Sequence, residues 1–387
     1  MHPSVTPDSP SRQVHAIPDR PEPRHQQHLT RLRTVEGALQ DIIGDASATS
    51  ASMGFGYRRL WSTLADATEG GKRFRSGLFT AAYRAWGGTD PNASATVGAA
   101  IELLHTAFVV HDDVIDGDDT RRGRPNVSGS HLEQARSAGV EEQRAREYAS
   151  AAGILAGDLA LAAALRTLAS VPTSQATVLR LFDLFDSALH TTAAGELEDV
   201  WMSLGSDHPT LPEILATEER KTSAYSFTLP LQAGAALAGA SQCTVESAGE
   251  VGRLLGIAFQ LADDLLGVFG DPAATGKSVL SDLRAGKQTP LIAHARSTVW
   301  WHEIEPYVGR ADLTAAQASW VRELLTASAR SPGNTGGSGS GSAGGGSRSS
   351  GTWRCQLVPR SPAHAGCSIS LTMCTCSVIC RSRIASA

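Results

Sequence analysis

Apolar residues return every three to four positions through most of the chain between residues 29 and 329, and nowhere do they alternate long enough to read as a sheet. The pattern predicts helices over 29–43, 54–65, 74–86, 93–116, 173–204, 212–219, 221–240, 245–269, 287–295, 300–308 and 313–329, with one or two more over 133–169. Gly70-Gly71, Gly87-Gly88 and Pro91 punctuate the first part of the chain. The expected fold is all-α, a bundle of ten or more helices around a central cleft. Residues 1–28 are rich in Pro, His, Ser and Arg, have no apolar period, and read as a disordered segment. Residues 331–350 are mostly Gly and Ser and read as a linker. The rest of the tail, rich in Ser, Arg and Cys and aperiodic, reads as the product of a shifted reading frame. The folded domain is therefore expected over 29–330.

One predicted helix is more apolar than the others. It ends in His111-Asp112-Asp113-Val114-Ile115-Asp116-Gly117-Asp118-Asp119-Thr120-Arg121-Arg122, with five aspartates in eight residues. Asp112 and Asp116 are four apart and share a helix face. Two like charges about 4 Å apart repel by about 4 kcal/mol at an effective dielectric of 20, so a half-buried cluster of this kind needs cations. An all-oxygen donor set suits hard ions, and one or two carboxylates completed by phosphates is the usual arrangement for Mg²⁺. Arg121 and Arg122 suit phosphate oxygens. The competing reading, a solvated helix terminus with local ion pairs, is disfavoured by the apolar approach. A second apolar helix, over 251–266, carries Asp263-Asp264 near its end. Two such helices can face one another across a cleft that holds a metal-bridged diphosphate.

These motifs, in this order, give the chain its resemblance. Gly70-Gly71-Lys72-Arg73-Phe74-Arg75, Asp112-Asp113-x-x-Asp116 with Arg121-Arg122-Gly123, Lys221-Thr222, Gln260-Leu261-Ala262-Asp263-Asp264 and the stretch 275–287 resemble those of the trans-isoprenyl diphosphate synthases, the polyprenyl synthetases. The resemblance covers roughly residues 29–330. It implies a Mg²⁺-dependent prenyltransferase that joins isopentenyl diphosphate to allylic diphosphates. Geranylgeranyl diphosphate is the expected product and farnesyl diphosphate the next, with an impaired or modulatory synthase subunit as the alternative. It implies metal ligands at Asp112, Asp113, Asp116, Asp263 and Asp264. Lys221, Lys277, Lys287 and Arg121 would contact the allylic diphosphate, and Gly71, Lys72, Arg75, His105 and Arg122 the isopentenyl diphosphate. Thr222 and Gln260 would face the developing cation. Taken alone, His105 on an apolar helix reads more readily as a core histidine, and the lysines as solvated charges; the motif context favours the ligand roles. Ala107 and Phe108, five and four residues before Asp112, would set product length, the small Ala107 leaving room and Phe108 narrowing the passage. The second motif departs from the fullest form: Gly267 stands at its third acidic position, and Asp271 lies further on.

Composition adds limits. A net charge of -5 over 387 residues argues against a nucleic-acid partner held by bulk electrostatics. The longest apolar run, 151–165, is interrupted by Asp158, so no stable membrane insertion is expected. No basic-then-apolar leader pattern is present, and the expected location is the cytoplasm. Only Cys243 of six cysteines lies in the body of the chain, as in a reduced protein; Cys374-x-Cys376 in the tail is a weak metal signal. The resemblance implies a homodimer.

Overall fold

The structure, a computed structural model, describes residues 24–204, 208–270, 283–284 and 286–330, with side chains from residue 35 onward. Asp271, Lys277, the linker and the cysteine-bearing tail lie outside these residues. The helices are α1 (Arg24–Ser50), α2 (Phe55–Thr68), α3 (Phe74–Ala85), α4 (Pro91–Ile115), α5 (Val127–Ser137), α6 (Glu142–Ala169), α7 (Gln175–Ser203), α8 (Leu211–Glu218), α9 (Leu229–Leu237), α10 (Gln242–Phe269), α11 (Pro290–Arg296), α12 (Trp301–Ile304) and α13 (Ala315–Arg330). The fold is all-α.

The bundle is built on α4. Asp90 caps it by accepting from the amides of Asn92 (2.8 Å) and Ala93 (3.2 Å), and Pro91 opens it with no amide to satisfy. Val97, Ala99, Ala100, Ile101, Leu103, Leu104 and Val110 are all buried, so α4 is apolar nearly all round, as a helix in the middle of a bundle must be. Burying each of the larger of these side chains contributes about 1.5–3 kcal/mol. α6 lies against α4 through Ala152, Ala156 and Ala160, small residues that let the helices approach closely. A separate cluster, with Ile292, Ile304, Leu313, Val321 and Leu325 at its centre, joins α11, α12 and α13 to the end of α10.

Two helices, over Pro91–Asp116 and Glu142–Ala169, are long and apolar enough to cross a bilayer. For the first, 78% of the apolar window is buried in the protein; for the second, 39%. The exposed part of α6 includes Tyr148, Ile154 and Leu155.

Three local features differ from the expectation. α1 starts at Arg24, inside the segment expected to lack structure. Its Val35 and Leu39 are anchored in the core, and the Arg and Gln residues that precede them are good helix formers, so the helix extends N-terminally of that anchor. The predicted helix over 221–240 divides: residues Glu219–Thr228 form a π-helix before α9. The third difference lies in the acidic loop, where Thr120–Arg121 (β1) and Arg124–Pro125 (β2) pair antiparallel, Thr120 opposite Pro125. Arg122 (φ 55°) and Gly123 (φ 73°) are both left-handed, as a two-residue turn of the primed type requires.

Candidate active site

The end of α4 and the hairpin after it form one unit. Arg121, on β1, folds back onto the helix: its Nε is 2.8 Å and its Nη2 2.6 Å from Asp113, and Nη2 is 3.2 Å from Asp112. Asp113 is only 4% exposed. Burial pushes its carboxyl up, and the Arg121 hydrogen bond opposes that shift without cancelling it. Asp113 was expected to face the cleft with Asp112 and Asp116. Its charge is instead taken up by Arg121, because the residue after Asp112 falls about 100° round the helix, toward the protein interior. Asp116, the residue that ends α4, is exposed. Burial and then Asp112 raise its carboxyl, and Lys221 and Lys287 pull it down, which places both lysines within its electrostatic reach.

Lys221 is the cation at the centre of the acidic side. Its Nζ lies 2.7 Å from Asp199, 2.8 Å from Glu196 and 3.5 Å from Asp112. Burial alone would lower the lysine, but Asp199 and Glu196 outweigh it and hold the ammonium above its usual range. Glu196 is nonetheless raised, by burial first and then by Asp112 and Asp199, although it accepts from Lys221. The two shifts oppose one another because three carboxylates share one ammonium. This contact exists because α7 and the π-helix nearly touch: a Cβ at Gly195 would lie 2.3 Å from the backbone nitrogen of Lys221.

The second acidic pair belongs to the same charge network. Gln260 donates from Nε2 to Asp264 at 3.0 Å, one turn along α10. Asp264 also shares a hydrogen bond with Glu218, at the end of α8. Burial, then Asp264, then Asp199 push the Glu218 carboxyl well above the usual carboxylate range. The sequence of neighbours is thus Asp112, Lys221, Asp199, Glu218, Asp264. Asp263 is exposed beside Asp264, and Thr222 follows Lys221 half-buried. Among the described residues no three acidic, His or Cys side chains converge on one point closely enough to ligate a single ion.

A basic pocket lies two turns back along α4. Arg75 donates from Nε and Nη2 to Ser226 (3.1 and 2.8 Å) and from Nη2 to Tyr225 (3.2 Å), and its Nη1 is 3.2 Å from His105 Nε2. His105 is driven well below its ordinary value, by burial first and then by Arg75, Arg121, Arg122 and Arg73. It is therefore a neutral imidazole with the Arg75 guanidinium beside it, and its buried Nδ1 has no partner among the described residues. Arg122 reaches the Gly70-Gly71 turn by donating to the Glu69 carbonyl at 3.4 Å. Lys72 is exposed on that turn. The pocket offers donors and positive charge, and among the described residues no carboxylate pairs with Arg75; an anion needs such donors.

Phe108 is half-buried and meets Tyr225 edge-on, centroids 4.8 Å apart. Ala107 does not open a passage as expected. It is 1% exposed and packed with Leu60, Trp61 and Leu64, on the side of α4 that faces α2.

Glu196, Asp199 and Glu218 were not among the residues singled out from the sequence. The nearest signal was the run Gly195-Glu196-Leu197-Glu198-Asp199 on a predicted helix, in which a glycine stands where the helix is otherwise continuous.

Comparison with known proteins identifies the family. The model of the polyprenyl synthetase family matches residues 59–309. A geranylgeranyl diphosphate synthase of Mycobacterium tuberculosis is 34% identical over 278 residues, 70% of this chain and 73% of that protein. One from Sulfolobus acidocaldarius is 36% identical over 229 residues, 58% of this chain, and the match spans 63% of the relative's length. The crystal structure of geranylgeranyl pyrophosphate synthase from Corynebacterium glutamicum, complexed with isoprenyl diphosphate and magnesium, superposes with a TM-score of 0.70 at 29% identity, covering 77% of this chain and 86% of that one. The names of similar proteins at 30–36% identity also include farnesyl, geranylfarnesyl and octaprenyl diphosphate synthases. With its family model matched over well more than half its length and its paired acidic helices joined by one charge network, this chain belongs to the polyprenyl synthetase family of prenyltransferases.

Proposed function

We propose that the protein condenses isopentenyl diphosphate with allylic diphosphates, with geranylgeranyl diphosphate as its main product. The observation that carries this is the arrangement on α4. An acidic face at Asp112 and Asp116, with Lys221 against it, and a basic pocket around neutral His105 lie seven residues apart on one rigid helix. At 1.5 Å per residue they are about 10 Å apart, room for two diphosphates held separately.

Asp112 and Asp116 on one side and Asp263 and Asp264 on the other would hold Mg²⁺, with Asp113 keeping Arg121 in place. Bound there, the metal supplies Lewis-acid stabilisation of the leaving oxygens. Lys221, Lys287 and Arg121 donate to the same oxygens, with Lys277 as a further proposed donor. As the carbon–oxygen bond breaks, positive charge grows on the allylic carbon. The Thr222 hydroxyl and the carbonyl of Gln260, whose amide nitrogen is given to Asp264, stabilise that charge without trapping it. Lys72, Arg75, His105 and Arg122, with the close backbone of Gly71, hold isopentenyl diphosphate so that its double bond forms the new carbon–carbon bond. The proton then leaves to the departed diphosphate. The apolar walls keep water from the cation.

The test is an elongation assay with isopentenyl diphosphate, dimethylallyl diphosphate and Mg²⁺, repeated with excess EDTA. Metal-dependent allylic products support the reading; none with dimethylallyl, geranyl or farnesyl primers overturns it. One observation favours a second reading as a modulatory subunit: Val251, Leu254, Leu255, Phe259, Leu265 and Leu266 leave a face of α10 exposed. Failure to elongate alone, with stimulation of an active synthase, would select that reading. Exposed Tyr148, Ile154 and Leu155 of α6 support a homodimer, a second copy covering these apolar side chains. The proposed location is the cytoplasm.

Product length follows from Phe108. Because its ring closes against Tyr225, Phe108→Ala should lengthen the main product by at least one isoprene unit. Chromatography of the dephosphorylated products checks this, and an unchanged spectrum counts against Phe108 as the wall.

A further inference from the structure

We propose that Glu102 is a positioning residue that sets the geometry of the isopentenyl diphosphate side; this rests on reading the Lys72/Arg75/His105 pocket as the place of that diphosphate. Glu102 lies on α4 one turn before His105 and is 5% exposed. A carboxylate is rarely buried so deeply unless its charge and lone pairs are matched. Here both oxygens are used. Oε1 accepts from the backbone amide of Ser76 at 3.0 Å, and Oε2 lies 3.6 Å from Nη1 of Arg73.

These two contacts fall on the segment that carries Lys72 and Arg75. Ser76 is in the first turn of α3, where amides have no partner within the helix. The residue at the cap position, Arg73, offers no side-chain acceptor. Glu102 therefore caps α3 from a neighbouring helix, and its negative charge also suits the positive end of the helix dipole. Arg73 itself is left-handed, with φ 49°, a conformation that a residue with a Cβ adopts only under strain. Its buried guanidinium is held from the other side by Glu36, Nη2 at 2.7 Å and Nε at 2.9 Å. The strained turn is thus clamped between Glu36 and Glu102. Lys72 comes just before the clamp. Arg75, two residues after it, reaches Ser226, Tyr225 and His105 in the opposite direction.

The consequence is a shared ruler. Glu102 and His105 are on one rigid helix with Asp112, so the clamp fixes the Lys72/Arg75 segment relative to both diphosphate positions. A loss of the clamp should weaken one substrate and spare the other.

The experiment compares Glu102→Gln and Glu36→Gln with the wild type. In Glu102→Gln the amide oxygen can still accept from Ser76, while Arg73 keeps only Glu36 as a charged partner. The KM for isopentenyl diphosphate should rise about tenfold, equivalent to about 1.4 kcal/mol. The KM for the allylic diphosphate should stay within about twofold, and Glu102→Asp should recover part of the loss. Glu36→Gln, at the exposed end of the clamp, should act in the same direction by about threefold, and it keeps the test decisive if Glu102→Gln does not fold. Direct calorimetric titration with isopentenyl diphosphate should show the same order. Equal rises in both KM values, or unchanged isopentenyl binding in whichever of these variants folds, overturns the role of Glu102. A wild type that binds no isopentenyl diphosphate at all instead overturns the reading of the pocket itself.

Discussion

Asp112→Asn should lower kcat for allylic elongation by about 10²–10³-fold, the usual cost of removing one preorganised electrostatic group at a site of charge development. Asp112 is the residue where the proposed metal face, Arg121 at 3.2 Å and Lys221 at 3.5 Å come together. The asparagine keeps the shape but loses the charge that would hold a cation between helix and diphosphate. The fold should survive. Asp112 now raises Asp116, Glu196 and Asp113 by repulsion, so losing it relieves that strain. Lys221 keeps Asp199 and Glu196, and Arg121 keeps Asp113. Thermal unfolding should therefore shift little while turnover collapses. Turnover within tenfold of the wild type would remove Asp112 from the proposed mechanism.

Gly195→Val is the second large effect, and it acts through packing. The new Cβ would stand 2.3 Å from the backbone nitrogen of Lys221 and 2.7 Å from the carbonyl carbon of Arg220. Backbone atoms cannot swing aside as a side-chain tip can, so α7 and the π-helix must separate. Overpacking of this kind costs about 1–3 kcal/mol. At about 2.1 cal/mol/K of unfolding entropy per residue, a folded body of about 300 residues shifts by about 1–2 °C in Tm per kcal/mol. Separation also carries Glu196 and Asp199 away from Lys221, and a misplacement of about 1 Å can cost about a hundredfold in rate. The expected outcome is a protein with lower Tm and a kcat reduced on that scale. An unchanged Tm would mean that the two segments do not approach as closely as the structure places them.

Much of this was legible before any coordinates. The periodic placement of Ile101, Leu104 and their neighbours predicts α4 and its burial, and the spacing of Asp112 and Asp116 predicts a shared face. The hairpin at 120–125 was not legible, because two-residue strands have no period to detect. Nor was the π-helix, since widening a helix by one residue leaves the local apolar pattern almost unchanged. Glu196, Asp199 and Glu218 escaped notice for another reason. Each is an ordinary acidic residue on a helix surface until another helix is packed against it.

Local pattern was enough to predict the all-α class, the order of most helices, and which aspartates fall together at the end of α4, because helix periodicity and capping act over a few neighbouring residues. The tertiary structure alone decided that Asp113 holds Arg121, that Lys221 rests among carboxylates from two helices, that Ala107 fills the core, and that Glu102 caps a helix other than its own. Those outcomes depend on distances between groups far apart in the chain. Burial and charge act through space, and no local pattern encodes which remote group arrives.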